Sequence, residues 1–174
     1  MIRKHTLTNT FHSIYVAIAL LLVIASCKKK EGPDPVDDLK PIEVTLDAFV
    51  ATLVSNPPTQ ADLSNRVKSY LLAQPKAFFG STVALLDSAG KAYYSPYWYR
   101  SGNTVVVKDL ADTSYHIDEQ DWLRLPIDGG KAIWTEPYFD AGGGEIWMRT
   151  RSVPVYISGK IIAVATTDLE VENP

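Results

Sequence analysis

The sequence contains a single cysteine, Cys27, so no intramolecular disulfide can form. Positive charge is also scarce, with 17 Lys and Arg against 20 Asp and Glu. Nucleic-acid-binding proteins present a basic face, so we expect no nucleic-acid partner. Beyond residue 26 the chain has only one histidine, His116. A zinc site built on several histidines is therefore excluded from that region, and we interpret His116 as an ordinary loop or surface residue.

Long apolar runs are missing as well. The most apolar stretch, residues 14–26, has 13 residues, whereas a membrane-spanning helix needs about 20. It follows Arg3 and Lys4, and the first acidic residue is Glu31. A basic start followed by a short apolar run is typical of a secretory signal, so we predict a signal peptide over residues 1–26.

The junction before Cys27, Val23-Ile24-Ala25-Ser26, resembles a bacterial lipobox. We therefore predict that Cys27 is lipidated and anchors the protein to a membrane, where each buried CH₂ contributes about 0.8 kcal/mol. Cleavage nearby that leaves a free thiol is the alternative. We expect a cell-envelope location, with the outer membrane or cell surface favoured over the inner membrane because Lys28 is not a retention aspartate. Residues 27–43, rich in charge and proline, are predicted to form a flexible tether.

The remaining residues, 44–174, are predicted to form one α+β domain. Apolar residues at helical spacing predict a helix over 46–54, and Thr59 with Asp62 predicts the start of a second helix. Glycine-containing turns then separate strand patterns, which indicates an antiparallel meander of about five strands with the N-terminal helices on one face. The predicted strands are 81–87, 92–100, 105–108, 131–140, 145–157 and 160–169, with a brief helix at 117–125.

We find no motif for catalysis or for a cofactor. The Gly142-Gly143-Gly144 run lacks the Lys-Ser/Thr and the helix that a phosphate-binding loop requires, so we interpret it as a turn. The acidic residues around Asp121 lack EF-hand spacing, and a solvated helix face explains them. No nucleophile is paired with a base. We therefore predict that the protein is not an enzyme and needs no cofactor.

Aromatic residues are concentrated between Tyr93 and Tyr156, where all four tryptophans lie. Tyrosine and tryptophan often line small-molecule pockets, although a hydrophobic core also uses them. On the strand 145–157, period-two alternation places Arg149 and Arg151 on one face. These two arginines are candidates to receive a carboxylate or sulfonate of a ligand; an exposed strand edge is the alternative.

Several sequence blocks occur together in a characteristic order: AYYSPYWYR (92–100), DW (121–122), IWTEPYFD (133–140), TRSVPVY (150–156) and GKIIAVATTDL (159–169). In this order and spacing they resemble a Cache domain, the PAS-like extracytoplasmic sensor module of bacterial receptors. The resemblance covers residues 79–171 and implies a PAS-like fold with a pocket for a small molecule.

The resemblance also implies the pocket residues. In amino-acid-sensing Cache domains, carboxylates hold the ligand ammonium group while aromatic rings enclose it. The matching positions in this sequence are Tyr115, Trp122, Tyr138, Asp140 and Asp168. We also expect Tyr94, from the aromatic block 92–100, to lie around the pocket.

One position departs from the family pattern. The arginine that grips the ligand carboxylate, two residues before the tryptophan, is Gln120 here. An α-amino acid therefore loses its carboxylate partner unless Arg149 or Arg151 replaces it. The sequence leaves open an amino-acid-like ligand and a cationic amine without a carboxylate.

Two functions remain after these observations. The first is a lipid-anchored, extracytoplasmic sensor-type domain that binds a small molecule and has no signalling output of its own. The second is a structural or interaction lipoprotein whose Cache-like scaffold binds a signalling or surface protein, its pocket filled by its own side chains. A ligand-sized cavity beside Trp122 would favour the first, and a solid core the second.

Overall fold

The computed structural model describes residues 39–174. The predicted signal peptide, Cys27 and most of the predicted tether lie outside these residues. The first helix, α1 (Lys40–Ser55), begins before residue 44, so residues 40–43 belong to the domain and not to the tether. Pro41 explains the early start, because proline near a helix N-terminus has a favourable fixed φ and loses no hydrogen bond.

The second helix, α2 (Gln60–Leu72), begins where the sequence predicts. Asp62 Oδ1 accepts hydrogen bonds from the Thr59 backbone N–H and hydroxyl, each at 2.7 Å. This contact satisfies a free donor at the helix start. One apolar stripe of the helix is buried, and it comprises Leu63, Val67, Tyr70 and Leu71. Within residues 39–174, no helix has the length and apolarity needed to cross a membrane.

The strands follow in sequence order, interrupted once by helix. They are β1 (Phe78–Leu86), β2 (Ala92–Tyr94), β3 (Pro96–Ser101), β4 (Thr104–Asp109), β5 (Ile133–Trp134), β6 (Tyr138–Phe139), β7 (Trp147–Ile157) and β8 (Lys160–Glu170). Between β4 and β5 lie a 3₁₀ turn (Ile117–Glu119) and the third helix, α3 (Asp121–Gly129). The sheet therefore has eight strands instead of about five. Each of the six predicted strand segments forms a strand, and two of them, 92–100 and 131–140, are each divided into two short ones.

All pairings in the sheet are antiparallel, and the order is β4-β3-β1-β8-β7-β5, with β2 on β1 and β6 on β7. The predicted meander is wrong in one respect. The first strand pairs with the last, from Phe78 opposite Leu169 to Leu85 opposite Ala163, which places β1 and β8 at the centre. A pairing between residues so distant in sequence gives no local turn signal. The α+β, PAS-like class is confirmed.

Helices α1 and α2 pack on one face of the sheet, hereafter the helix face. Their side chains meet Val83 and Leu85 of β1 and Val155 of β7, all buried, in one apolar cluster. Because side chains alternate along a strand, the residues between these ones point to the other face.

That second face, hereafter the pocket face, is covered by the segment from Leu110 to Gly129. Trp122 and Leu123 of α3 pack there with Tyr97 of β3 and Val164 of β8. The N-terminal helices lie on one face as predicted, and the sheet is covered on both sides.

Candidate ligand-binding site

The two predicted carboxylates, Asp140 and Asp168, lie together on the pocket face. Asp168 is carried by β8, and Asp140 follows β6 directly. Each is only 3% exposed, and both line one small cavity of about 10 Å³. The cavity is lined by Thr82, Tyr97, Leu110, Tyr115, Trp122, Tyr138, Asp140, Thr166 and Asp168.

Asp140 is held by a chain of hydrogen bonds from the covering segment. The Tyr115 hydroxyl donates to Asp140 Oδ1 at 2.5 Å, and the Trp122 indole N–H donates to the Tyr115 hydroxyl at 3.0 Å. The backbone N–H of Gly144 donates to Asp140 Oδ2 at 2.6 Å. Tyr115 and Trp122 are thus in the site, as the resemblance implies.

The glycine turn after Asp140 has a structural role beyond reversing the chain. A Cβ on Gly143 would overlap the carboxylate of Asp140, and one on Gly144 would come within 2.7 Å of the Met148 side chain. Real Cβ atoms do not approach so closely, so a side chain at Gly143 would force the Asp140 carboxylate or the turn to shift, and one at Gly144 would force Met148 and Phe79 to shift. The sequence identifies the turn, but the dependence of Asp140 on it is visible only in the structure.

Asp168 is bound by side chains of the neighbouring strand. The Thr150 hydroxyl donates to Asp168 Oδ1 at 2.8 Å. Thr150 also lies 2.9 Å from the Tyr138 hydroxyl, which links a third predicted residue to the carboxylates. Thr150 is a site residue that the sequence reasoning missed, because the ligand-binding face of this strand was expected to carry Arg149 and Arg151 instead.

Burial dominates the electrostatics of the pair. It raises the pKa of Asp168 to about 7, with the negative charge of Asp140 as the second cause. Burial also raises the pKa of Asp140, while the hydrogen bonds from Tyr115 and Gly144 act in the opposite direction. A buried carboxylate beside a second buried carboxylate is stabilised by a proton or by a bound cation.

Tyr97 is a further site residue that the sequence reasoning missed. Its ring is 2% exposed and stacks on Tyr99 with ring centroids 5.2 Å apart. Its hydroxyl is buried without a hydrogen bond of good geometry to any residue in 39–174, although Asp168 is close enough for the two groups to interact. Tyr97 belongs to the block 92–100, and only its position on β3 shows that it lines the cavity.

Tyr94 does not line the cavity. It pairs with Leu85 across β1 and β2 and packs into the helix-face cluster. The predicted single strand over 92–100 breaks at Ser95, and Tyr97 of the following strand supplies the aromatic ring on the pocket face.

Arg149 and Arg151 are also absent from the cavity. Thr150 stands opposite Asp168, so the arginines on either side of Thr150 point to the helix face. The Arg149 Nε–H donates to the Thr135 carbonyl at 3.1 Å, and Arg151 lies 3.9 Å from Glu43 of α1. Neither arginine replaces the missing guanidinium.

Gln120 lines a second, larger space at the surface. This outer pocket has a volume of about 520 Å³. Its lining residues are Glu119, Gln120, Asp121, Trp122, Leu125, Trp134, Thr135, Glu136, Pro137 and Tyr138. Trp122 and Tyr138 line both the outer pocket and the small cavity. The Gln120 amide donates to the Tyr115 carbonyl at 3.2 Å.

The described residues contain no group of three or more His, Asp or Glu side chains arranged to hold a metal ion. His116 is exposed, in the loop before the 3₁₀ turn.

The family model for the first PDC sensor domain of methyl-accepting chemotaxis protein-like receptors matches residues 63–173. No curated protein matches the sequence significantly.

Solved structures share the fold. The extracellular domain of a protein assigned as a histidine kinase, soHK1S-Z6, is 24% identical with a TM-score of 0.67 over 77% of this chain and 54% of its own. The ligand-binding domain of the Campylobacter jejuni chemoreceptor Tlp3, in complex with 4-methylisoleucine, is 19% identical with a TM-score of 0.57 over 78% and 52%. The Pseudomonas aeruginosa amino acid chemoreceptor PctC, in complex with GABA, is 19% identical with a TM-score of 0.52 over 76% and 56%.

The chain spans about half the length of these structures. The similarity to Cache domains is confirmed: the chain belongs to the family of extracytoplasmic PDC (Cache) sensor domains found in chemoreceptors and histidine kinases.

Proposed function

We propose that this protein is a lipid-anchored, extracytoplasmic binding domain for a small molecule that carries an ammonium group. The observation that supports the proposal is the pair of buried carboxylates, Asp140 and Asp168, in one aromatic-lined cavity. An ammonium group between them neutralises charge that burial otherwise makes costly. The aromatic side chains of Tyr97, Trp122 and Tyr138 line the same cavity, and aromatic rings favour a cation near them.

The cavity is too small to hold a ligand in this structure. Its 10 Å³ is close to the space of one water molecule, so a ligand enters only when the covering side chains move. The wall shared with the outer pocket consists of Trp122 and Tyr138, and we propose that the ligand passes between these two rings. Tyr115 then exchanges its hydrogen bond to Asp140 for one to the ligand.

A thermal-shift screen of the protein purified in detergent tests the proposal. The panel contains alkyl amines, amino acids, carboxylates and sugars. A ligand present at 100 times its Kd adds about 2.7 kcal/mol to the free energy of unfolding, which shifts Tm by several degrees. We expect shifts from amines that disappear in Asp140→Asn and persist in the control Asp47→Asn, an exposed carboxylate on α1. Shifts from carboxylates or sugars alone would contradict the proposal.

Lipid attachment at Cys27 is a separate part of the proposal. It is supported by the short apolar run, the small residues before the cysteine and the absence of other cysteines. Mass spectrometry of the membrane-extracted protein should show acyl chains on an N-terminal Cys27, and Cys27→Ser should abolish them. An unmodified thiol on the secreted protein would contradict this part.

One observation favours a second function, an interaction lipoprotein that binds a protein partner. The inner cavity between Asp140 and Asp168 is far smaller than a ligand, as a scaffold filled by its own side chains requires, and of the two spaces beside Trp122 only the outer pocket is of ligand size. A blank result across the amine panel, combined with crosslinking of a single envelope protein to the wild-type domain, would support this function over ligand binding.

A further inference from the structure

The outer pocket is acidic. Three of its lining residues, Glu119, Asp121 and Glu136, are carboxylates with exposed side chains, and none of its lining residues is basic. Within residues 39–174, these three carboxylates take part in none of the ion pairs. The outer pocket therefore attracts a second positive charge and repels a carboxylate.

The outer pocket has the size and walls of a ligand site. Its 520 Å³ falls within the range of about 300–1,000 Å³ that small-molecule pockets usually have. The rings of Trp122, Trp134 and Tyr138 supply aromatic surface. Leu125 adds apolar surface that suits a hydrocarbon chain.

The small cavity offers a further polar group to a ligand, next to Asp168. The buried hydroxyl of Tyr97 lacks a well-formed hydrogen bond to any described residue, and buried polar groups normally have one. Because the cavity holds about 10 Å³, opening it modestly admits a group as small as an ammonium but not a whole ligand. The rest of the ligand must then occupy the outer pocket.

We infer that the ligand is a linear diamine or a longer polyamine, with one ammonium between Asp140 and Asp168 and another in the outer pocket near Glu119 and Glu136. This inference rests on the proposed function, since it assumes an ammonium in the inner cavity. The hydrocarbon chain passes between Trp122 and Tyr138. Gln120, which stands where an arginine would bind a carboxylate, adds no positive charge to oppose the second ammonium.

Three ligands of equal chain length test the inference by calorimetric titration of the detergent-purified protein at low salt. They are 1,4-diaminobutane, 1-aminobutane and 4-aminobutanoate, which differ only in the far group. We expect the diamine to bind about tenfold more tightly than the monoamine, a difference of about 1.4 kcal/mol, and the carboxylate to bind most weakly. Diamines of three to six carbons determine the best length.

The variant Glu119→Gln/Glu136→Gln removes outer charge and leaves Asp121, the first residue of α3, in place. We expect it to weaken binding of the diamine several-fold more than binding of the monoamine, and so to reduce the advantage of the diamine. The matched control Asp47→Asn/Glu172→Gln removes the same charge from exposed positions outside the pocket and should preserve the advantage.

The outcomes separate the two proposals. Equal affinity for diamine and monoamine, or tighter binding of 4-aminobutanoate, would overturn the diamine inference while ammonium binding stands. Absence of binding by every amine, with Asp140→Asn indistinguishable from wild type, would overturn the proposed function itself.

Discussion

The two faces of the central sheet are built on different principles. On the helix face, fully buried aliphatic residues such as Leu63 and Val83 pack together, and Arg149 and Arg151 are bound to neighbouring elements. On the pocket face, the same strands bury the carboxylates of Asp140 and Asp168 around a cavity. One face thus maximises packing, while the other retains charges that cost stability.

The difference shows how a single sheet separates stability from binding. Burying apolar surface is favourable wherever it occurs, so the helix face needs no specific partner. A buried carboxylate pair is costly unless a proton or cation compensates it, so the pocket face is completed by something that it binds.

The largest expected effect on stability lies on the helix face. Leu63→Ala should lower the free energy of unfolding by about 3 kcal/mol, because it removes a fully buried side chain and leaves a cavity. Urea denaturation followed by circular dichroism measures the loss. The control Val54→Ala, on a side chain 44% exposed, should change little. If Leu63→Ala abolished amine binding in the folded protein, the separation of the two faces would be wrong.

On the pocket face, Gly143→Ala should combine a smaller loss of stability with a loss of binding. The added Cβ overlaps the Asp140 carboxylate, so the turn or the carboxylate must shift, at a cost of about 1–3 kcal/mol. Calorimetric titration with 1,4-diaminobutane should show little binding. Gly129→Ala is the matched control, since its Cβ would meet only the Lys131 side chain at 3.9 Å. Normal binding by Gly143→Ala would contradict the role of the turn.

Asp168 should make the stability of the unliganded protein depend on pH. Its pKa is raised to about 7 in the folded state, against about 3.9 when unfolded. Between these values the folded state binds more protons, so the contribution of Asp168 to stability falls as pH rises. Relative to wild type, Asp168→Asn should therefore gain about 3 kcal/mol in free energy of unfolding between pH 5 and pH 8. Parallel urea titrations at both pH values measure the gain, and an unchanged difference would refute the buried-charge argument.

The smallest expected effect concerns the arginines of the helix face. Arg149→Lys should alter the affinity for 1,4-diaminobutane by less than about twofold, because its side chain faces away from the carboxylates. The same titration with Gln120→Arg provides the contrast, since a guanidinium in the outer pocket should repel the diamine. A tenfold loss of affinity in Arg149→Lys would indicate that the ligand binds on the helix face, which would contradict the proposed site.

Local signals predicted most of the fold. Each of these signals lies within a few residues of the element that it specifies. They are the capping pair Thr59 and Asp62, the apolar residues at helical spacing and the glycine turns. The pairing of β1 with β8 depends on contacts between distant residues, which no local pattern reveals.

The face of the arginines could not be predicted for a definite geometric reason. An unbroken ladder from the pair Ile157 and Lys160 would place Arg149 opposite Asp168, on the same face. The register instead shifts between Val155 and Tyr156, and Thr150 takes that position. A shift by one residue exchanges the faces of a strand, and the sequence contains no signal for this bulge.

The carboxylates were predictable for the opposite reason. Asp140 and Asp168 were identified through blocks of sequence that resemble a known family. Such blocks identify residues that come together in the fold although they are distant in sequence. Tyr97 belonged to such a block, but its role depends on the strand break at Ser95.

The most direct test of the central claim is the number of protons released when the amine binds. An aliphatic ammonium stays protonated at pH 7, so any proton released comes from the protein. Calorimetric titration with 1,4-diaminobutane at pH 7, in two buffers of different ionisation enthalpy, measures this number. We expect binding to release a substantial fraction of a proton from the wild-type protein and almost none from Asp168→Asn. Binding without proton release, or the same release in both proteins, would contradict the claim that the buried carboxylates receive the ligand cation.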